Sequence, residues 1–386
     1  MVNSVDALTA ARAVAERLRD DAVERDQANR PPLKEIALLR DSGLLAVDPD
    51  DHQATHAVTR IVSAADASIG HLLGYHYLHL WRASLYDNVE LSRSLRQEVV
   101  TGRLFVAGVS NPRGSVTAGA AGDALSVSGR GAFATGCAVA DRLFVSATRD
   151  DDATSVVVIV RGGADGVSHP SDWDNLGQRL TASGGIVFKD VRVGHGDVLG
   201  TFPAGEDDSS PRRLRLSLVA LAFQAVLTQV IVGIAEGALG EAARYTRERS
   251  RPWPASGLEH AADDPHILAG YGELVGQLHA ARLLARDATR ALVAADARGL
   301  SLTSDERGRT ALAISAAKVV SSRMVMEVTG RIFEFTGARA TTRSTGLDRF
   351  WRDARTLTLH DPVVYKAREL GAHLLTDELP PITAYS

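Results

Sequence analysis

Leu104-Phe105-Val106-Ala107-Gly108-Val109-Ser110-Asn111-Pro112-Arg113-Gly114, residues 104–114, is where the chain changes texture. Before it, Ala, Leu, Arg, Glu and Asp recur at helical spacing. From Leu104 the chain reads as short, Val-rich segments bounded by Gly, Asp, Asn and Pro. This predicts strands at Leu104–Val109, Ala124–Ser128, Arg142–Ser146, Ser155–Val160 and Gly185–Val191, with the β texture ending near Leu199.

Upstream, residues 4–28 predict a helix without Gly or Pro, stopped by Pro31-Pro32. Pro32 starts the next helix, which carries Leu33, Ile36, Ala37 and Leu39 up to Ser42-Gly43. After a polar loop, Asp48–Thr55, residues 57–85 predict one long helix with Ile61, Ala64, Ala65, Ser68, Leu72 and Tyr75 on its period. A shorter helix follows at 90–101. Downstream of Pro211 the spacing predicts helices at 211–249, 265–299, 303–335, 344–359 and 361–376, the first two parted by Pro252-Trp253-Pro254. Helices, then strands, then helices argue against an alternating βαβ sheet. The expectation is an α+β chain, mostly α: a helical domain at 1–102, a β-domain at 103–205 and a helical bundle domain at 206–386.

Composition removes several function classes. A chain of 386 residues is too long for one simple core. With 45% apolar and 23% charged residues it has the composition of a soluble globular protein. The net charge of −4, with dispersed basic residues, points to no nucleic acid and no anionic membrane surface. A single cysteine, Cys137, cannot form an internal disulfide and fits a cytoplasmic setting. Met1–Arg12 has no secretory pattern. The apolar run Leu216–Leu227 is interrupted by Gln224 and reads as a buried helix. No dinucleotide fingerprint, phosphate loop, zinc-protease motif or nucleophile elbow is present, and Gly162–Gly166 is a turn after a strand. His76 and His79 have no neighbouring Cys, Asp or Glu to complete a metal site, so no metal is expected.

Specific stretches sharpen the reading. Ser68-Ile69-Gly70-His71-Leu72-Leu73-Gly74-Tyr75-His76-Tyr77 lies in the N-terminal part, and Phe133-Ala134-Thr135-Gly136 in the β-rich part. Asp172-Trp173-Asp174-Asn175-Leu176-Gly177-Gln178-Arg179-Leu180-Thr181-Ala182-Ser183-Gly184 follows. Then come Arg251-Pro252-Trp253 with Asp263-Asp264-Pro265, and Phe350-Trp351-Arg352-Asp353-Ala354-Arg355-Thr356-Leu357-Thr358-Leu359-His360-Asp361-Pro362. In this order, over nearly the whole chain, they resemble the acyl-CoA dehydrogenase superfamily in its dibenzothiophene monooxygenase-like, two-component branch.

The resemblance implies the acyl-CoA dehydrogenase fold: an N-terminal helical domain, a central β-barrel-like domain and a C-terminal four-helix bundle, assembled as a homotetramer. It implies a flavin-dependent monooxygenase fed with reduced flavin, FMNH2 in preference to FADH2, by a separate NAD(P)H:flavin reductase. O2 would be the co-substrate, activated as a flavin C4a-hydroperoxide to oxygenate a small apolar or aromatic compound at S, N or C. Two departures stand out: the loop at 47–52 is short, and Thr135 stands where relatives often have Ser.

His71 and Tyr75, four apart on one helix face, suit either a packed core pair or, with the motif around them, a catalytic pair lining a water-poor pocket. In acyl-CoA dehydrogenases a glutamate base follows the Arg-Asp-Ala motif. Here Arg352-Asp353-Ala354 leads to His360-Asp361 instead, so His360 is the third catalytic expectation and oxygenation is preferred to α-proton abstraction. Asp361 before Pro362 reads as a helix cap. Phe133, Thr135, Trp173 and Ser183 are expected flavin contacts, with core packing or turn formation as the alternatives. Arg251 and Arg339 are phosphate-binding expectations or surface ion pairs, and Asn111 either lines the site or makes a turn. Two other readings stay open: a flavin dehydrogenase using Asp361 as a short base, and a non-catalytic flavoprotein or scaffold.

Overall fold

Side-chain caps place the first helices. In the computed structural model, which describes residues 3–110, 115–152, 154–202 and 207–386, the N-terminal part forms α1 (Ser4–Asp20), α2 (Ala22–Ala28), α3 (Leu33–Asp41), α4 (His52–Ser63), α5 (Ala67–Ala83) and α6 (Val89–Gly102). Asn3, Asp51, Asp66 and Asn88 accept first-turn N–H groups of α1, α4, α5 and α6. The single helix expected over 57–85 is therefore two. α4 ends at Ser63, and the Asp66 carboxylate takes the Ile69 N–H to begin α5. The helix expected over 4–28 also divides, at Asp21. In both cases the apolar period runs on across the break, because the helices on either side bury apolar faces, and periodicity alone does not reveal a cap. Asp51 likewise begins α4 inside the stretch expected as loop.

Every residue of α5 is buried, so its polar side chains lie in the interior. It packs on α4 and α7 and on the sheet, and belongs to both hydrophobic clusters of the chain.

The strands are β1 (Val106–Val109), β2 (Ser115–Ala121), β3 (Ala124–Gly131), β4 (Arg142–Arg149), β5 (Ser155–Arg161), β6 (Val167–Ser168), β7 (Ile186–Gly194) and β8 (Val198–Phe202). They form one sheet in the order β6-β7-β3-β2-β4-β5-β8, with β1 parallel to β4. The expected strands are present. β2 went unread because Ser-Val-Thr-Ala-Gly-Ala-Ala carries few β-branched or aromatic side chains. β5 is buried almost throughout, as its unbroken Val-Ile run requires.

The C-terminal part consists of α7 (Pro211–Glu248), α8 (Pro265–Ala297), α9 (Ser304–Thr336), α10 (Asp348–Leu357) and α11 (Val363–Thr376). Arg307 donates to Ser217 near the starts of α9 and α7, and Ser250 donates to the Thr336 carbonyl near their ends. The two helices are thus parallel, with α8 returning between them. α7 is apolar and long enough to cross a bilayer, but 83% of its most apolar window is buried inside the bundle. Gly237 lets it approach α4: a Cβ there would lie 2.2 Å from the Ala64 carbonyl oxygen. α11 runs back along α9 from the Lys318–Asp361 pair to Arg307, which donates to the Pro380 carbonyl.

Candidate functional site

α5 carries His71 and Tyr75 one turn apart, their rings edge to face at 4.3 Å. Phe223 of α7 closes the other side of Tyr75 at 4.9 Å. The His71 Nδ1–H donates to Gln178 Oε1 at 3.0 Å. Its Nε2 is buried and, among the described residues, has no hydrogen-bond partner. Burial pushes the His71 imidazole down to about 4. The Gln178 bond works against this, and the positive charges of His360 and Lys318 add to it. His71 is thus neutral at ordinary pH and lies close enough to His360 and Lys318 to feel their charge. Burial, reinforced by the Asp361 charge, raises the Tyr75 phenol well above its ordinary value, so it stays protonated.

His360 stands at the rim of this cluster, its side chain 35% exposed. Its Nδ1 bonds Asp361 Oδ1 at 3.0 Å, and Lys318 Nζ reaches the same oxygen at 3.3 Å. Burial works to raise the Asp361 carboxyl. The His360 bond and the Lys318 charge outweigh it, and the group is held well below the usual carboxylate range. An ionised carboxylate only accepts, so His360 keeps its hydrogen on Nδ1 and turns Nε2 away. The expected cap role of Asp361 is not realised: α11 begins at Val363 with Pro362 as N-cap and no side-chain cap. Lys318 is fully buried. A buried ammonium left without a counter-charge costs several kcal/mol, against about 1 kcal/mol for a missing cap, so the lysine takes the carboxylate.

The β-rich part brings Thr135 Oγ1 to Ser183 Oγ at 2.8 Å, both buried. Ser183 donates to Thr181 Oγ1, and Thr181 to the Gln178 carbonyl at 2.8 Å. Trp173 Nε1 donates to the same carbonyl at 2.9 Å. Phe133 is not a core residue. It is 69% exposed on a left-handed backbone (φ 53), its ring 6.5 Å from Trp173. Thr135, Trp173 and Ser183 therefore join His71 through Gln178, a residue not singled out from sequence. Gln178 is itself left-handed (φ 54), and its N–H donates to Asp353 Oδ1 at 2.5 Å. Burial pushes the Asp353 carboxyl up to about 7. The preceding Gly177 has no room for a Cβ, which would fall 2.1 Å from the Arg352 carbonyl oxygen. In the sequence, Gly177 within the Asp172–Gly184 stretch was the signal for this hub.

Arg251 and Arg339 are exposed, and among the described residues neither makes an ion pair. The Ser250–Thr336 bond puts them at the joined ends of α7 and α9. The site meets α7 at Phe223 and α9 at Lys318, so at 1.5 Å per residue they lie roughly 30–40 Å away along the helices. Asn111 falls outside the described residues. Among the described residues, no group of His, Cys, Asp and Glu could hold a metal ion. Cys137 is buried, and burial raises its thiol.

The orphaned His71 Nε2, the linked Thr135 and Ser183 hydroxyls and the aromatic edge of Phe133 and Trp173 fit a flat, largely apolar ring with a polar rim. A flavin isoalloxazine has that chemistry.

Residues 225–364 match the family described as acyl-CoA dehydrogenase, C-terminal domain. A probable FMNH2-dependent monooxygenase of Pseudomonas putida is 38% identical over 98% of this chain and 97% of its own length. Among solved structures, methanesulfinate monooxygenase of Pseudomonas fluorescens superposes with a TM-score of 0.91 at 36% identity, covering 98% of this chain and 99% of that one. Dibenzothiophene monooxygenase of Paenibacillus sp. A11-2, solved with FMN and indole, gives 0.92 at 36% identity, with 98% and 99% coverage.

Proposed function

The chain belongs to the flavin-dependent monooxygenases of the acyl-CoA dehydrogenase fold, and from that premise we propose that it uses reduced FMN and O2 to oxygenate a small sulfur-containing or aromatic molecule. The observation that carries this reading is the site's chemistry. Two imidazoles, His71 and His360, are each tied through Nδ1, and the carboxylate beside His360, Asp361, is consumed by Lys318 and His360. A dehydrogenase needs a basic carboxylate for α-proton abstraction. Asp361, buried and held below its ordinary range, is a poor one, which disfavours that reading.

Reduced flavin, when bound, supplies the two electrons that divide O2 between substrate and water. The chain's own residues do the rest. Thr135 and Ser183 offer hydroxyls to the ring's polar edge, and Phe133 and Trp173 wall it. Tyr75 and Phe223 keep water from the reacting face. His71 brings a hydrogen bond without a charge, and His360 supplies one from the rim. With no dinucleotide fingerprint in the sequence, we assign electron supply to a separate NAD(P)H:flavin reductase, in a cytoplasmic setting. The FMNH2-dependent relative supports that assignment. Methanesulfinate, dibenzothiophene and indole, named with the relatives, set the substrate class to try first.

Arg251 and Arg339 stand too far from His71 to reach the same flavin within one chain. A closed homotetramer would offer them to a flavin phosphate held by a neighbouring copy, through the charged fork that Arg provides. Arg251→Ala is expected to weaken reduced-FMN binding roughly ten- to a hundredfold, the worth of one charge-assisted contact. Unchanged affinity in a folded tetramer would remove Arg251 from the site.

The test of the function runs two variants through one assay for product and hydrogen peroxide. His360→Ala is expected to bind FMN but to release peroxide in place of product. A dehydrogenase would instead lose activity in Asp361→Asn and keep it in His360→Ala. Full coupling of flavin oxidation to product in His360→Ala would overturn the role given to His360.

A further inference from the structure

We propose that Gln178 is the positioning residue that fixes the tautomer of His71, so that His71 presents a bare Nε2 lone pair to the flavin and substrate and acts there as a hydrogen-bond acceptor. The proposal rests on the reading of His71 as a residue of the flavin site.

A neutral imidazole carries one N–H. With that hydrogen on Nδ1, held by Gln178 Oε1 at 3.0 Å, Nε2 can only accept. This nitrogen is buried without a partner among the described residues. Buried polar atoms are rarely left unpaired, so its partner arrives with the ligand: an O–H or N–H on the flavin or the substrate.

The backbone of Gln178 is built to hold one position. The residue is 2% exposed. Its N–H is taken by Asp353, and its carbonyl accepts from both Trp173 and Thr181. Gly177 before it donates its N–H to Thr356 Oγ1 at 2.9 Å, against a neighbour that leaves no room for a side chain. The left-handed backbone at Gln178 is sterically costly for a residue with a Cβ, and these bonds hold it there. The partner's chemistry matters as much as its place. An amide orients the ring without favouring the imidazolium, whereas His360 has a carboxylate on the equivalent nitrogen. The two histidines of one site are therefore set up differently, and His71 is the one kept neutral. The Lys318 charge, and that of His360 whenever it is protonated, also keep a proton off it.

The test begins on the flavin-free protein, labelled with nitrogen-15 histidine, the His71 signals being assigned by difference from His71→Asn. Nδ1 is expected to be protonated and Nε2 bare between pH 5 and 8, since the group titrates only at about 4. Gln178→Leu removes the acceptor, so the hydrogen is expected to shift toward Nε2. Product per FMN oxidised should fall about tenfold, the worth of one hydrogen bond. Gln178→Glu puts a carboxylate on Nδ1. His71 should then titrate inside that pH range, and the product yield should become pH-dependent, falling on the acid side. These opposite signatures separate positioning from a merely structural role, and either variant alone suffices if the other fails to fold. An Nε2–H tautomer in the wild type, or an unchanged tautomer in Gln178→Leu with an unshifted His71 in Gln178→Glu, would overturn the proposal. Should His71→Asn keep full coupling, it is the underlying reading of His71 that fails.

Discussion

Asp353 holds the least comfortable charge near the site. Its folded-state value of about 7 is raised by burial, with the Asp26 and Asp66 charges adding to it, above an ordinary 3.8. The sign follows. The folded protein binds this proton more tightly than the unfolded chain, so the contribution is fully present below about 3.8 and is lost as pH rises through about 7. Asp353→Asn keeps an acceptor for the Gln178 N–H and removes the titration. Its stability relative to wild type should climb by a few kcal/mol between those values, read by denaturant unfolding across pH. A pH-independent difference would contradict it. Lys318 makes a second case. Lys318→Met leaves the Asp361 charge buried and alone, so a loss of about 3–5 kcal/mol is expected, with Asp361→Asn on the same chain recovering most of it. At this scale His71, Tyr75 and His360 were legible because their residue types carry chemistry at recognisable spacings. Lys318 was not: it sits within α9, 43 residues from its partner, and no local pattern announces a pair made only by folding. Gln178 lay inside the Asp172–Gly184 motif but was given no role, because an amide has no titration to single it out.

The close crossing of α4 and α7 depends on residues without side chains. Gly237→Ala would place a Cβ 2.2 Å from the Ala64 carbonyl oxygen and 2.8 Å from the Phe350 ring. The helices must part, at an expected cost of about 1–3 kcal/mol despite alanine's better helix propensity. Gly240→Ala, three residues on, meets nothing within 4 Å of this chain and should stabilise by about 0.5–1 kcal/mol. Thermal unfolding of the two variants checks the contrast, and equal effects would mean that α7 does not lean on α4 as described. Elements with unmistakable local texture, such as β5 and the long C-terminal helices, were legible from sequence. The break at Ala64-Ala65-Asp66 was not, since it depends on one cap within a continuous apolar period.

Across the whole molecule, the interior of α4 and α5 is rich in neutral histidine. Burial pushes His56 down to about 3 and His71 and His76 to about 4, and it holds His79 well below its ordinary value. Each must gain a proton on unfolding once pH falls below the ordinary 6.5. Stability should therefore drop as pH descends from there toward 4, each group adding a slope of up to about 1.4 kcal/mol per pH unit. Proton uptake on unfolding at pH 5 would register it, and its absence would mean that these rings are already charged in the fold. The succession of helices, strands and helices was plain from sequence, while the parallel course of α7 and α9 and the way the β-rich loops close on α5 come from contacts distant in sequence. The assembly is open to light scattering: a tetramer at micromolar concentration is expected, and a strict monomer would leave Arg251 and Arg339 without a flavin to reach. The most direct measurement is a single turnover under oxygen-18, with chemically reduced FMN and a panel of sulfinates, thiophenes and indoles. A reduced-flavin monooxygenase will place one labelled atom in at least one product and the other in water, with little peroxide. Stoichiometric peroxide with no label in any product, from folded protein that binds FMN, would contradict the function proposed for this chain.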